Sequence, residues 1–215
     1  MSRFQQLWHH CRTNRDARLQ WNLRLSFSVH LVYIAYKGIF AVICHSPWLG
    51  ATAVYYMALC AAQYLLLRSA GRQRRDLLHN WQAYRLCGAA LLVLSLAMAA
   101  INFYTIRDAH AMRYPWHLIY GAAAYTFYSL TMALIWLFRK HGDENPLYSA
   151  NRLLSLSAAL VALFSLQSAL LSAFGNGSGW ERAMTIATSL AVFLLVIVIA
   201  LHMLRRGTAE IRKLR

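Results

Sequence analysis

Acid is scarce in this chain. Seven of its 215 residues are Asp or Glu, against 22 Lys and Arg. All seven, Asp16, Asp76, Asp108, Asp143, Glu144, Glu181 and Glu210, fall outside the long apolar runs. Pathways for protons, sodium or magnesium usually hold a carboxylate at depth, because an ionisable or multidentate oxygen must replace the ion's lost hydration. A pump built in that way is disfavoured. Cysteine is sparse as well: Cys11, Cys44, Cys60 and Cys87 show no CxxC or other metal-type spacing, which leaves small apolar packing as their expected role. There is no HExxH, no GxSxG, and no intramembrane Ser/His or paired Asp arrangement. The expectation is a protein that is not an enzyme and needs no cofactor. Residues 1–25 are polar and basic and lack the apolar core and small-residue cleavage site of a signal peptide, so the first apolar run is expected to be retained.

What the chain does contain is apolar sequence. The hydrophobic set makes up 59% of residues and charged residues only 13%, a composition suited to membrane spans rather than to a water-facing surface. Runs long enough for a helix to cross the hydrocarbon layer occur near 26–44, 49–67, 86–106, 114–138, 150–174 and 183–204. A net charge of +15 on a folded surface would suggest nucleic acid, but here the basic residues gather at the ends of the apolar runs, and no nucleic-acid partner is expected.

The basic residues also orient the chain. Of the 22, 18 lie in the N-terminal segment, the second and fourth connections and the tail, where they run from Arg3 to Arg24, Arg68 to Arg85, Arg139 to Arg152 and Arg205 to Arg215. The remaining connections hold only Arg107, Arg113 and Arg182. Because cytoplasmic segments carry the excess of Lys and Arg, both termini are expected in the cytoplasm. The architecture expected is all-α: one domain of six transmembrane helices over 26–205, followed by a basic tail at 206–215. Before it, Phe4, Leu7, Trp8 and Cys11 fall at helical spacing in the 1–25 segment, which suits an interfacial N-terminal helix on the membrane surface.

One basic residue remains, Lys37, inside the run HLVYIAYKGIFAVICHSPW. It lies about eleven residues, or ~16 Å, into its span. A charged Lys facing lipid there would cost ~3 kcal/mol or more, so Lys37 should face protein or water. His30, Tyr33, Lys37, Ala41 and Cys44 fall on one helical stripe, which puts His30 and Tyr33 on the same face. With no buried acid, the groups available to receive the amine are backbone carbonyls, Gln63, Asn102, Tyr104, Gln167 or a bound anion. The alternative is a lysine held uncharged. The ligand-binding candidates are therefore Lys37, His30, Tyr33, Gln63, Asn102 and Gln167, set against a purely structural role for the same residues in snorkelling or interhelical hydrogen bonds. Ser95, Ser129 and Ser168 are expected to bond back to their own helices. Tyr55, Tyr56, Tyr104, Tyr114, Trp116, Tyr120 and Trp180 are expected in the interfacial belt or in packing. His45, His110 and His117 with Asp108 and Glu181 match no tight metal motif, so no metal site is expected.

The pattern YxxYKGxxxxxxxSPWxxxxxxYY at 33–56, with AYTFYSLTMA at 124–133, NPLYSANR at 145–152 and LQSALLSAFG at 166–175, resembles a family of uncharacterised six-span bacterial membrane proteins. That resemblance implies the bacterial inner membrane but no activity. More distantly, Asn22 to Tyr56 is similar to the opening of the cation diffusion facilitator membrane domain, with Lys37 and Ser46 at the family's Lys-to-Ser spacing. The glycine is displaced, since Gly38 directly follows the Lys. The metal-ligand positions align with Thr52, Tyr55, Tyr56 and Leu59 and with Ala150, Leu153 and Ser157, which form no ligand set, so the resemblance does not carry metal transport with it.

The function expected is a small transporter or channel-like protein for a polar or anionic solute, with Lys37 and His30 in its cavity. The alternative is a membrane structural or regulatory protein whose Arg-rich cytoplasmic face binds a partner or anionic lipid. Under either, the bilayer is the constant partner. Homo-oligomers are open to both, because Ala89, Ala90, Ala97, Ala99 and Ala100 permit close helix contact.

Overall fold

The computed structural model describes residues 15–45, 47–71, 77–107, 116–138, 146–175 and 178–214. They form six helices: α1 (Arg15–Ile43), α2 (Pro47–Gly71), α3 (Leu77–Arg107), α4 (Trp116–Phe138), α5 (Pro146–Phe174) and α6 (Gly179–Leu214). No strand occurs among the described residues. Each helix contains a stretch long and apolar enough to cross a membrane. Large apolar side chains such as Val32, Val42, Val93, Phe127 and Val198 point outward, the surface a lipid environment allows and water does not.

The helix ends follow local chemistry. Pro47 and Pro146 open α2 and α5, where the N–H that proline lacks would have no intrahelical partner anyway. Ser178 caps α6: its Oγ accepts from the backbone N–H of Glu181 at 3.4 Å, the S-x-x-E spacing of a capping box. Gly175 closes α5, its N–H donating to the Leu171 carbonyl at 2.9 Å. A Cβ at Gly175 would run into that carbonyl oxygen and the Glu181 carboxylate. The turn between α1 and α2 places His45 at φ 47°, a left-handed conformation uncommon for a residue with a Cβ.

Several boundaries differ from those read in the sequence. α3 begins at Leu77 rather than near 86, because Trp81 and Tyr84 are buried against neighbouring helices. α6 runs on to Leu214, with Gly207 and Ile211 buried, so residues 206–214 continue the last helix. At the other end, residues 15–25 continue α1 without a break. The first part of the proposed interfacial helix, including Phe4, Leu7, Trp8 and Cys11, lies outside the described residues.

The most extensive helix pairing joins α3 and α6, followed by α1 with α2 and α4 with α5, while α5 touches every other helix. Glycine permits the first of these contacts. A Cβ on Gly88 would stand 2.8 Å from the Met203 Cβ and 3.3 Å from the Ala200 carbonyl oxygen, and one on Gly207 would stand 3.0 Å from the Arg85 Cβ. Such close approach between backbones is the usual means of association in lipid, where apolar burial between helices gains little over contact with acyl chains.

Gly88→Leu should therefore lower the thermal stability of the detergent-purified protein by ~1–3 kcal/mol through overpacking. Gly38→Ala has nothing within 4 Å of the new methyl, and should be neutral or stabilising by up to about 1 kcal/mol. Thermal unfolding followed by thiol-reactive fluorescence distinguishes the two.

Candidate functional site

The stripe on α1 is turned into the bundle. His30, Tyr33 and Lys37, at i, i+3 and i+7, retain 5%, 3% and 1% of their exposure, whereas Leu31, Val32 and Ile39 on the other side of the helix face outward. Lys37 stands six residues from the end of α1 at Ile43, ~9 Å along the axis. Its side chain crosses to α5, where Nζ donates to Ser165 Oγ at 2.8 Å. Among the described residues this is its hydrogen-bond partner, and the Tyr33 ring lies on another side with its centroid 5.5 Å from Nζ, a cation–π distance. A charged ammonium has three donors, so this lysine is under-coordinated by the protein groups described.

His30 sits two turns nearer the start of α1. Its Nδ1 donates to Gln63 Oε1 on α2 at 2.7 Å, which assigns the ring hydrogen to Nδ1 in this arrangement. The Gln63 amide nitrogen in turn donates to Ser26 Oγ at 3.1 Å. Ser26 and His30 also line a narrow cavity of about 40 Å³ together with Tyr125, Tyr128, Ser129 and Ser155, large enough for a few waters at most.

Between His30 and Lys37 stands an aromatic plug. The Tyr33 ring stacks on Tyr125 of α4 with centroids 3.5 Å apart and planes within 5°, and meets Tyr56 of α2 edge-on at 5.0 Å. Tyr56 is anchored in turn, its hydroxyl donating to the Ala158 carbonyl of α5 at 3.1 Å. The hydroxyls of Tyr33 and Tyr125 have no partner among the described residues, although both are buried. Unpaired polar groups of this kind are costly in an apolar interior. Beside the plug, Tyr36 seats directly on Gly121 and its hydroxyl donates to the Leu118 carbonyl at 3.1 Å.

The fold thus brings Lys37, His30, Tyr33 and Gln63 into one buried column, with Gln63 serving His30 rather than the lysine. Gln167 does not bond Lys37, and its buried Nε2 has no partner among the described residues. Asn102 and Tyr104 lie in α3, with side chains outside the described residues. Sequence reasoning missed Ser165, Tyr56 and Tyr125 as parts of the column. Ser95 and Ser129 do bond back to their own helices, whereas Ser168 Oγ has no partner among the described residues. Tyr55 and Tyr56 are core residues, whereas Tyr120 and Trp180 are exposed.

The residues aligned with metal ligands are used in packing, with Thr52 bonding its own Leu49 carbonyl and Ala150 fully buried. Among the described residues no group of three or more His, Cys, Asp and Glu could hold a metal ion. Asp108 and His110 lie outside the described residues. Comparison with protein-family models, with curated proteins and with solved structures finds no match, so the assignment rests on the geometry of the column.

Removing the acceptor should hurt more than removing the amine. Ser165→Ala leaves Lys37 buried without its hydroxyl partner and is expected to cost ~1–3 kcal/mol, while Lys37→Met, of similar shape and uncharged, should leave stability unchanged or raised. Thermal unfolding of the two variants in the same detergent tests this ordering.

Proposed function

We propose that this protein is a small transporter or channel-like protein for a polar or anionic solute, with Lys37 as the group that meets the solute. One observation carries the reading: a nearly fully buried amine with a single neutral hydroxyl partner among the described residues. Ionisable groups inside membrane bundles tend to mark substrate and ion pathways, because the cost of burial is otherwise avoided by an apolar residue. An anion or a polar oxygen would complete the coordination that Ser165 only begins. His30 and Gln63 would form the approach from the cavity, and the Tyr33, Tyr56 and Tyr125 plug would be the barrier that must move for a solute to pass.

In this reading the chain crosses the bacterial inner membrane six times with its Arg-rich end in the cytoplasm. The second reading, a membrane structural or regulatory protein that binds a partner or anionic lipid, is favoured by the tightness of packing around the column, where the cavity has room for little more than water.

An anion that binds the column should stabilise the purified wild-type protein, by ~2.7 kcal/mol at about 100 times its Kd. The increment should vanish in Lys37→Met, and proteoliposome uptake of the same anion should fall at least about tenfold. Equal stabilisation and uptake in both proteins would remove Lys37 from the pathway. Stabilisation by none of a panel of anions and polar metabolites would favour the structural reading.

The orientation is tested separately by cysteine labelling in a cysteine-free background. A cysteine at Ser178 should react with an impermeant maleimide on the outside of the inner membrane, and one at Thr208 only after the membrane is opened.

A further inference from the structure

A second site lies away from the Lys37 column, at the end of the bundle where α2 stops and α3 starts. There α2, α3 and α6 leave a crevice of about 670 Å³, within the range of small-molecule sites. Arg68 and Ser69 contribute from the last turns of α2, and His79, Gln82 and Arg85 from the first three turns of α3. Its inner wall is apolar, made by Leu65, Leu86, Ala89 and Leu204.

Neither guanidinium is matched by an acid among the described residues. Of the two acids whose side chains are described, Glu181 belongs to the opposite end of α6, and Glu210 bonds Lys213 at 2.8 Å. Arg68 and Arg85 are both exposed. Two arginines with nearby imidazole, amide and hydroxyl donors form a site for a phosphate, which arginine can bind through paired N–H donors.

We propose that this crevice binds the headgroup of an anionic phospholipid, with the phosphate between Arg68 and Arg85 and an acyl chain along the apolar wall. The wall decides between a lipid and a soluble phosphate. Leu65 and Leu86 belong at once to the crevice and to the lipid-facing surface, so the polar mouth runs directly into the surface that acyl chains cover. A soluble anion would occupy the mouth and leave that apolar wall without a partner. Basic pockets between membrane helices at the headgroup level recognise lipids through this combination of charge and apolar contact. The site does not depend on the solute reading, because none of its residues belongs to the Lys37 column.

Native mass spectrometry of the full-length protein in a neutral detergent tests the proposal. The probes are phosphatidylglycerol, phosphatidylcholine with the same acyl chains, and glycerol phosphate. Phosphatidylglycerol should bind at least about tenfold more tightly than phosphatidylcholine, and Arg68→Gln/Arg85→Gln should erase roughly that factor. The charge-matched control Arg24→Gln/Arg212→Gln, at exposed positions outside the crevice, should change binding less than about twofold. Ala89→Leu keeps every charge but fills the apolar wall, and should also weaken the lipid. Unfolding temperatures in lipid-free detergent verify that the variants are folded, and Arg68→Gln alone serves if the double variant is not. Equal losses in the crevice and control variants would overturn the proposal in favour of nonspecific attraction to a basic surface. Competition by glycerol phosphate as strong as by the lipid would overturn it in favour of a soluble-anion site.

Discussion

The constraint on which this bundle depends is the placement of one amine in an interior where no acid among the described residues meets it. Lys37 must turn inward because lipid is worse, and its reach to Ser165 ties α1 to α5, the helix that touches all the others. That choice sets the rotation of α1, and with it the positions of His30 two turns away and Tyr33 between them. The polar and aromatic column is thus the consequence of burying one long side chain on a helix whose other faces are committed to lipid.

Around that column the helices are held by two kinds of contact. On the α3–α6 side, Gly88 and Gly207 let backbones approach closely, a rigid seam with little to rearrange. On the α1–α4 side the link runs through rings: Tyr33 on Tyr125, and Tyr36 on Gly121. A stack of aromatic rings can separate by rotamer changes without moving a helix backbone, which a glycine seam cannot do. If any part of the bundle opens, its mechanics place the movable side at α1 and α4.

Much of the architecture was legible in the sequence, because a span needs only a long apolar run and such runs are unambiguous at this length. The inward face of α1 was legible for the same reason, since the spacing of His30, Tyr33 and Lys37 decides it. The start of α3 was not, because Trp81, Tyr84 and Arg85 read as a polar connection until packing with α6 shows what buries the two rings. Ser165 was not legible either. A serine in a span has its own helix carbonyl within reach, and nothing in FSLQSALLS marks its first hydroxyl as facing a lysine 128 residues earlier. The Tyr56 and Tyr125 plug was hidden in a chain with 12 tyrosines, where position relative to the membrane surface is the only guide that sequence offers.

The pairing of α3 with α6 also has a meaning in time. A chain made from its N-terminus at about 5–20 residues per second completes α3 seconds before α6 exists, since α4, α5 and their connections separate Arg107 from Gly179. During that interval the Gly88 face of α3 has lipid or the insertion machinery as its neighbour instead of its eventual partner. The last of the six described helices to be synthesised is thus the one that closes the broadest contact among them, and a chain cut short before α6 would reach the bilayer with that seam unfilled.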